Sequence, residues 1–551
     1  MIQNKLVESW LDNQGERRYQ PALIQLLISE GWTVLHNTRH SPIEFGKDVI
    51  ARSPDGKLCA LQLKGNPGSR LTKSEAQSLL PQFLEAMESA IPESYGRRRN
   101  ERHRTIIVTN GEIDEEAREL FDRTAVRVEN PLCSSDSVAY WSRGELLARF
   151  SAKVQSIWPS TIEGLGEAVR MFSESGLAIP TPSQIIVPLS AAFGMSNSNM
   201  KAPEKSSKIT SIFLLTEVLK SPWYRTANHY ALFQISILAA AYALQFADAA
   251  KRVAMVEAYA EIALAHAVDL VNECEERGFD PQYNDSVQSP LSEVDIFPER
   301  ARLIADVVAA LTLANRLGEI DRGYARKLIS GSVMPGCLWG QFVIPSMIIR
   351  HWAWRRLDAS MLPEQSLVSL FVAYIGAAEN HSLPDQVTNA APYYRFEEVL
   401  HSNSKGLLGI ESDISQDDTR NHMYFGKAVL QMLALRNWKQ SCKSIWRRFS
   451  MKMHGSTEVG LTDFYSPLIS NTGSTTSEQF YSKTWVELVN DGIDANGSSK
   501  VEAFQGLDWV LAAYLCIAPH RAEHNVLMTL DARLNANWYS KLHRPGDPIL
   551  K

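Results

Sequence analysis

Along this 551-residue chain the hydrophobic period changes once, near Thr161, and that change constrains the fold more than any other feature. Before it, short apolar and β-branched runs of strand length alternate with segments patterned at the helical spacing. After it, strand-like alternation nearly vanishes and long Ala/Leu-rich helical patterns take over. A chain of this length exceeds what one core usually serves. The expectation is therefore a two-part protein. An α/β domain, with a mixed central sheet flanked by helices, should occupy residues 1–158, and an all-helical region should follow over 159–551, with a weaker boundary near 330–360.

Within the first part, residues 19–30 place Leu23, Ile24, Leu26, Leu27 and Ile28 on a broad helix face, and Gly31 stands where a helix-ending glycine belongs. Strands are predicted at 32–35, 47–51 and 58–64, the last two joined by Ser-Pro-Asp-Gly, which has the residues of a tight turn. A helix follows at 74–90, with Leu79, Leu80, Phe83, Leu84 and Met87 as its stripe. Then come a buried strand at 105–109 (TIIVT), a helix at 112–121, a short strand at 126–128 and a helix at 143–150. In the second part the clear helical patterns are 209–219, 230–246, 251–277, 298–317, 366–378, 427–436 and 501–516. Polar segments at 196–208, 280–290, 401–421 and 470–478 read as loops, and no fixed repeat period emerges.

Bulk composition excludes several classes. Formal net charge is −6, with 56 Lys+Arg against 62 Asp+Glu, so a nucleic-acid partner would have to be held by a local patch. The six cysteines (59, 133, 274, 337, 442 and 516) are scattered singly, which argues against a zinc ribbon or disulfide framework and suits a reducing cytoplasm. The first residues lack the apolar core of a signal peptide. The longest apolar run, 231–246, is short for a membrane span and contains Gln234, Ser236 and Gln245, so a buried helix is expected and no membrane partner. The GxxxxGK[ST] phosphate loop is missing, which argues against ATP-driven activity within the chain.

The stretch "EFGKDVIARSPDGKLCALQLKG", residues 44–65, carries the chemistry. Metal-assisted phosphodiester hydrolysis needs oxygen ligands for a hard cation, which polarises the phosphate and activates a water, and a nearby Lys to position that water. Asp48 on one strand and Gln62 and Lys64 on the next meet that need, because residues two apart on a strand share a face. The backbone carbonyl of Leu63 is a further candidate ligand.

This region resembles the PD-(D/E)xK nuclease superfamily, and within it the Mrr-like restriction endonuclease branch. The resemblance is carried by "RYQPALIQLLISEGWTV", "EFGKDVIA", "ALQLKG", "RTIIVTNGEIDEEARELF" and "YWSRGELLARF", in order over roughly residues 10 to 155. It implies that Asp48 is the metal-binding acid, that Gln62 supplies an amide oxygen, and that Lys64 orients the nucleophilic water. Glu44 falls where the branch often has its first acid. The helix position that usually carries Glu falls on Gln20, while Glu16 lies one turn earlier on the same face; Glu16 or Glu44 would then supply the missing carboxylate. The implied cofactor is Mg²⁺ or Mn²⁺.

The run "YGRRRNERHR" adds Arg97, Arg98, Arg99, Arg102 and Arg104 as candidate phosphate contacts. The expected activity is metal-dependent endonucleolytic hydrolysis, of double-stranded DNA in the first instance, in a homo-oligomer. The resemblance and the fusion to a helical region imply a cytoplasmic restriction or antiphage defence effector answering to a phage-derived or accessory-protein trigger. The rival expectations are an RNA-directed nuclease with the same site, and an inactive nucleic-acid-binding scaffold. In the helical region His520 and His524, and Trp352 and Trp354 in "RHWAWRRLD", are read as structural.

Overall fold

The computed structural model describes residues 2–37, 46–127, 133–159, 161–196, 199–280, 291–318, 320–331, 343–357 and 424–436, with shorter pieces between 439 and 534. Glu44, the patterns at 366–378 and 401–421, and His520 lie outside the described residues. The chain forms two compact units, Met1–Ala178 with Ser183–Asn228, and Ile179–Pro182 with His229–Lys551.

The first unit opens with two helices, α1 (Ile2–Leu11) and α2 (Glu16–Ser29). α2 ends because Gly31 takes φ +87°, letting the Gly31 and Trp32 amides cap the carbonyls of Ile28 and Leu27, each at 3.0 Å. The sheet strands are β1 (Thr33–Asn37), β2 (Val49–Arg52) and β3 (Leu58–Lys64), with β4 (Arg70–Leu71) pairing separately. Helix α3 (Lys73–Glu88) starts at a capping box: the Thr72 hydroxyl accepts from the Glu75 amide and the Glu75 carboxylate accepts from the Thr72 amide. β5 (His103–Thr109), β6 (Glu112–Ile113), α4 (Glu115–Arg127), β7 (Cys133–Trp141) and α5 (Arg143–Ile157) complete the α/β part. The five-stranded sheet has the order β1-β2-β3-β5-β7. β1, β2 and β3 are antiparallel, whereas β3-β5 and β5-β7 are parallel, so the sheet is mixed.

β3 is central and buried along nearly its whole length, which fits a sequence apolar on both faces from Leu58 to Leu61 and broken only by Gln62 and Lys64 at its end. Ile107 of β5 packs with Phe83 and Met87 of α3 and Phe121 and Ala125 of α4. Ile106 and Val108, also buried, alternate to the other face. There Tyr19 of α2 reaches the β3 and β5 backbones, and Trp10 of α1 meets Phe150 of α5 at 5.2 Å.

The predicted strand at 126–128 does not form: α4 continues to Arg127 because Ala125 fills the core between α3 and α4, and that contact overrides the β propensity of Thr124 and Val126. The strand lies later, at β7, whose polar start (CSSDS) disguises it; as an edge strand it pairs only with β5.

The first unit also extends past residue 158, through α6 (Ile162–Ser173), α7 (Pro182–Phe193), α8 (Ala202–Leu219) and α9 (Ser221–Thr226). α8 begins inside the segment read as a 196–208 loop, and it packs on α2 and α5, which is what draws it into this unit.

The second unit is mostly helical: α10 (His229–Ala243), α11 (Ala250–Glu276), α12 (Leu291–Leu313), α13 (Arg322–Gly331), α14 (Val343–Leu357), α15 (Tyr424–Leu435), α16 (Asp508–Ile517) and α17 (His524–Leu534). A small β8-β9 pair, Gly455–Thr457 with Thr476–Glu478, is the exception, and it occupies part of the expected 470–478 loop. Trp352 is fully buried and donates to Asp531 Oδ1 at 2.8 Å, a packing role as expected. Among the described residues no helix is long and apolar enough to cross a membrane.

Candidate active site

The site is built at the C-terminal end of β3. The β2-β3 register pairs Val49 with Leu61, and the Asp48 amide donates to the Leu61 carbonyl at 2.9 Å, so Asp48 stands opposite Gln62 at the mouth of the hairpin. Opposed residues in antiparallel strands share a face. The Asp48 carboxylate is held by two donors on one oxygen: Gln62 Nε2 at 2.7 Å and the Leu63 amide at 2.6 Å. Leu63 thus meets Asp48 through its nitrogen. Its carbonyl, the expected ligand, accepts from Gln62 Nε2 at 3.4 Å.

Gln62 is 7 % exposed, and its Oε1 has no hydrogen-bond partner among the described residues. A buried amide oxygen left unsatisfied costs about 1–3 kcal/mol. The amide orientation follows from charge, since only the NH₂ end can face a carboxylate without repulsion.

Lys64, two residues along on the same face, places Nζ 3.6 Å from Glu16 Oε2. Glu16 is the first residue of α2, and three features hold that helix start against the sheet. The Tyr19 hydroxyl lies 3.0 Å from the Lys64 carbonyl and 3.2 Å from that of Val108. Gly65 lies so close to the Glu16 backbone that a Cβ there would sit 2.4 Å from the Glu16 nitrogen. Gln20, one turn on, donates to Asn37 Oδ1 at 2.6 Å and approaches the Asp48 carbonyl at 3.5 Å. Burial, with Glu16 and Asp48 nearby, pushes the Tyr19 phenol well above its ordinary range, so it stays a neutral donor.

Sequence reasoning missed Tyr19, Asn37 and Gly65, and also the buried pair Asn66 and Asn110. The Asn110 side chain accepts from the Asn66 amide at 2.8 Å and donates to the carbonyls of Leu11 and Gln14, tying the strand ends to the α1–α2 turn. The adjacent dipeptides Gly65-Asn66 and Asn110-Gly111, each directly after a strand, were the available signal.

The structure brings Asp48, Gln62, Lys64 and Glu16 together. It does not bring the arginines to them. β3 and β5 run parallel with Leu58 beside His103 and Lys64 beside Thr109, so Arg97, Arg98, Arg99, Arg102 and Arg104 lie toward the opposite end of the sheet. At about 3.3 Å per residue the separation along the strands is roughly 20 Å. Arg97 is half-buried, pairing with Glu93 at 3.6 Å, and Arg98, Arg99 and Arg102 are exposed. Arg104 lines a separate cavity of about 510 Å³ with Trp32, Cys59, Trp141 and Arg149. Burial pushes the Cys59 thiol up to about 11, which leaves no thiolate nucleophile there at neutral pH.

Searches of protein-family models, curated proteins and solved structures found no match to this chain.

Proposed function

We propose that the first unit is a metal-dependent nuclease of the PD-(D/E)xK type, cleaving phosphodiester bonds in DNA. The observation that carries this reading is the unpartnered Gln62 Oε1 beside the fixed Asp48 carboxylate. With no cation, the amide nitrogen occupies the electropositive position next to Asp48. Turning the amide about its last torsion exchanges nitrogen for oxygen without moving the rest of the side chain, which converts the same pair into two oxygen ligands. The residues present therefore fit a hard divalent ion such as Mg²⁺ or Mn²⁺, held by Asp48 and Gln62. Such an ion would supply Lewis-acid polarisation of the phosphate and acidify its water.

The chain's own residues do the rest. The Gly65 contact and the Tyr19 hydroxyl hold Glu16 and Lys64 at the same strand end. Lys64 orients the attacking water and offsets charge on the phosphate, and Glu16 keeps the ammonium group directed while adding the carboxylate that Gln20 and Gln62 lack. The resemblance extends the reading to a restriction or antiphage role, in which the helical unit would sense the trigger or assemble copies of the chain.

The test is cleavage of supercoiled plasmid by the full chain with Mg²⁺ or Mn²⁺, alongside RNA of matched length. Asp48→Ala and Lys64→Ala should each lower the rate by about 10²–10⁴-fold. Cleavage untouched by both substitutions would overturn the site assignment. Binding without cleavage of either polymer would favour a scaffold, and cleavage of RNA alone would redirect the substrate.

A further inference from the structure

We propose that His229, His266 and Asp269 form a site for a borderline divalent cation of the zinc type, which clips the open end of the α10–α11 hairpin. The two helices are joined by a tight turn at Leu244–Phe246 and pack against each other, so His229 at the start of α10 meets the C-terminal half of α11. His266 and Asp269 are three residues apart on α11 and share a helix face. One ligand atom from each of the three side chains lies within 4.8 Å of the other two. His229 Nδ1 and Asp269 Oδ2 are 3.8 Å apart, and the two imidazole rings are 6.4 Å apart at 35°.

At 3.8 Å the His229–Asp269 contact is too long for a hydrogen bond, and His229 Nδ1 has no hydrogen-bond partner among the described residues. Around a four-coordinate ion with bonds near 2.0–2.1 Å, ligand atoms stand about 3.4 Å apart, so side-chain rotations of about 1 Å would close the set. Two imidazoles with one carboxylate suit zinc, cobalt or nickel and do not suit Mg²⁺, which takes oxygen ligands. Burial is graded across the site: His266 is 5 % exposed, while the side chains of His229 and Asp269 are 22 % and 49 % exposed. The ion would have a buried anchor and a solvent-facing entry, with a fourth position open to water.

The experiment uses the full chain stripped with chelator and titrated with Co²⁺. The expected result is one equivalent bound with the visible d–d absorption of four-coordinate cobalt, displaced by Zn²⁺ and not by excess Mg²⁺. His229→Ala and Asp269→Ala, the latter on a half-exposed side chain, should each weaken binding by about 100-fold or more, since losing a ligand exceeds the 10–100-fold effect of losing a ligand's support. Far-ultraviolet circular dichroism checks that both variants remain folded. Asp48→Asn should keep the cobalt signal, which separates this site from the proposed nuclease centre. Absence of stoichiometric uptake, uptake unaltered by both substitutions, or loss of the signal in Asp48→Asn would each overturn the proposal.

Discussion

Replacing Gln62 with a glutamate tests the centre of the proposed active site in a way that does not depend on knowing its substrate. In the wild type, Gln62 Nε2 donates to Asp48 Oδ2 at 2.7 Å, in a position only 7 % exposed. The introduced side chain would set a second carboxylate at that distance. Two unit charges there repel by about 6 kcal/mol at an effective dielectric constant near 20. Binding a proton is the cheaper escape: from an ordinary carboxylate value near 4.3, holding the group neutral at pH 7 costs about 3.7 kcal/mol and restores a donor to Asp48. The smaller figure wins, so Gln62→Glu should lose about 2–4 kcal/mol in chelator at pH 7. The folded-state value of the new carboxyl group lies above its unfolded value, so the folded chain binds more protons, and the penalty must grow as pH rises. It should be about 1 kcal/mol at pH 5 and increase by about 1.4 kcal/mol per pH unit until the folded group ionises. Mg²⁺ or Mn²⁺ should remove most of the penalty by neutralising the pair, and should bind the variant more tightly than the wild type. Urea unfolding followed between pH 5 and 8, with and without the ion, reads both effects. A variant as stable as wild type in chelator at pH 8, with no response to Mg²⁺, would show that residue 62 does not face Asp48 and would refute the reasoning.

Gly65→Ala should cost about 1–3 kcal/mol by overpacking and depress cleavage as well, because its Cβ meets the Glu16 backbone at 2.4 Å and backbone cannot step aside; Gly318→Ala, with nothing within 4 Å, is the neutral control, and thermal unfolding with a cleavage rate reads both. His103 supplies a pH dependence. Burial first, then Lys47 and Arg97, lower its value from 6.5 to about 4, while the Ala86 carbonyl, 2.9 Å from Nε2, opposes the shift. The folded group therefore stays neutral, the unfolded chain takes up the proton, and stability present above pH 6.5 should be lost as pH falls toward 4, by up to about 3 kcal/mol. His103→Gln, which keeps a donor for Ala86, should flatten that limb of a denaturation-versus-pH profile relative to wild type.

What was legible in the chain followed from local physics. β3 is found at its predicted bounds, Leu58–Lys64, because a central strand buried on both faces is mostly apolar. The pairing of Asp48 with Gln62 followed from a tight turn, in which Gly56 takes φ +84°, that fixes the register of the hairpin. The parts that were not legible depend on where distant segments meet. The Tyr19 hydroxyl and the Asn66–Asn110 pair join residues more than forty positions apart, and nothing in their neighbours marks them. The arginines were candidates because they cluster in one basic run, which does not tell where that run lies; the parallel crossover into β5 delivers it to the far end of the sheet. β7 was hidden because an edge strand need not be apolar.

The same geometry explains how a site short of carboxylates can be assembled at all. Carboxylates at positions 20 and 62 beside Asp48 and Glu16 would repel one another, and the strand end would resist folding. With Gln at positions 20 and 62, Asp48 is satisfied by an amide group and a backbone amide before any ion is present. The remaining charge is placed where it disturbs least: Glu16 lies at the N-terminus of α2, where the helix dipole favours an anion, and faces Lys64 across 3.6 Å. At that distance the pair is attracted without the tight hydrogen bond that would lock both groups, so either can turn toward a phosphate or an ion. On the proposed reading, the amide at 62 trades one formal charge for a donor that satisfies Asp48. Glu16 then becomes the described carboxylate on which ion affinity most depends after Asp48.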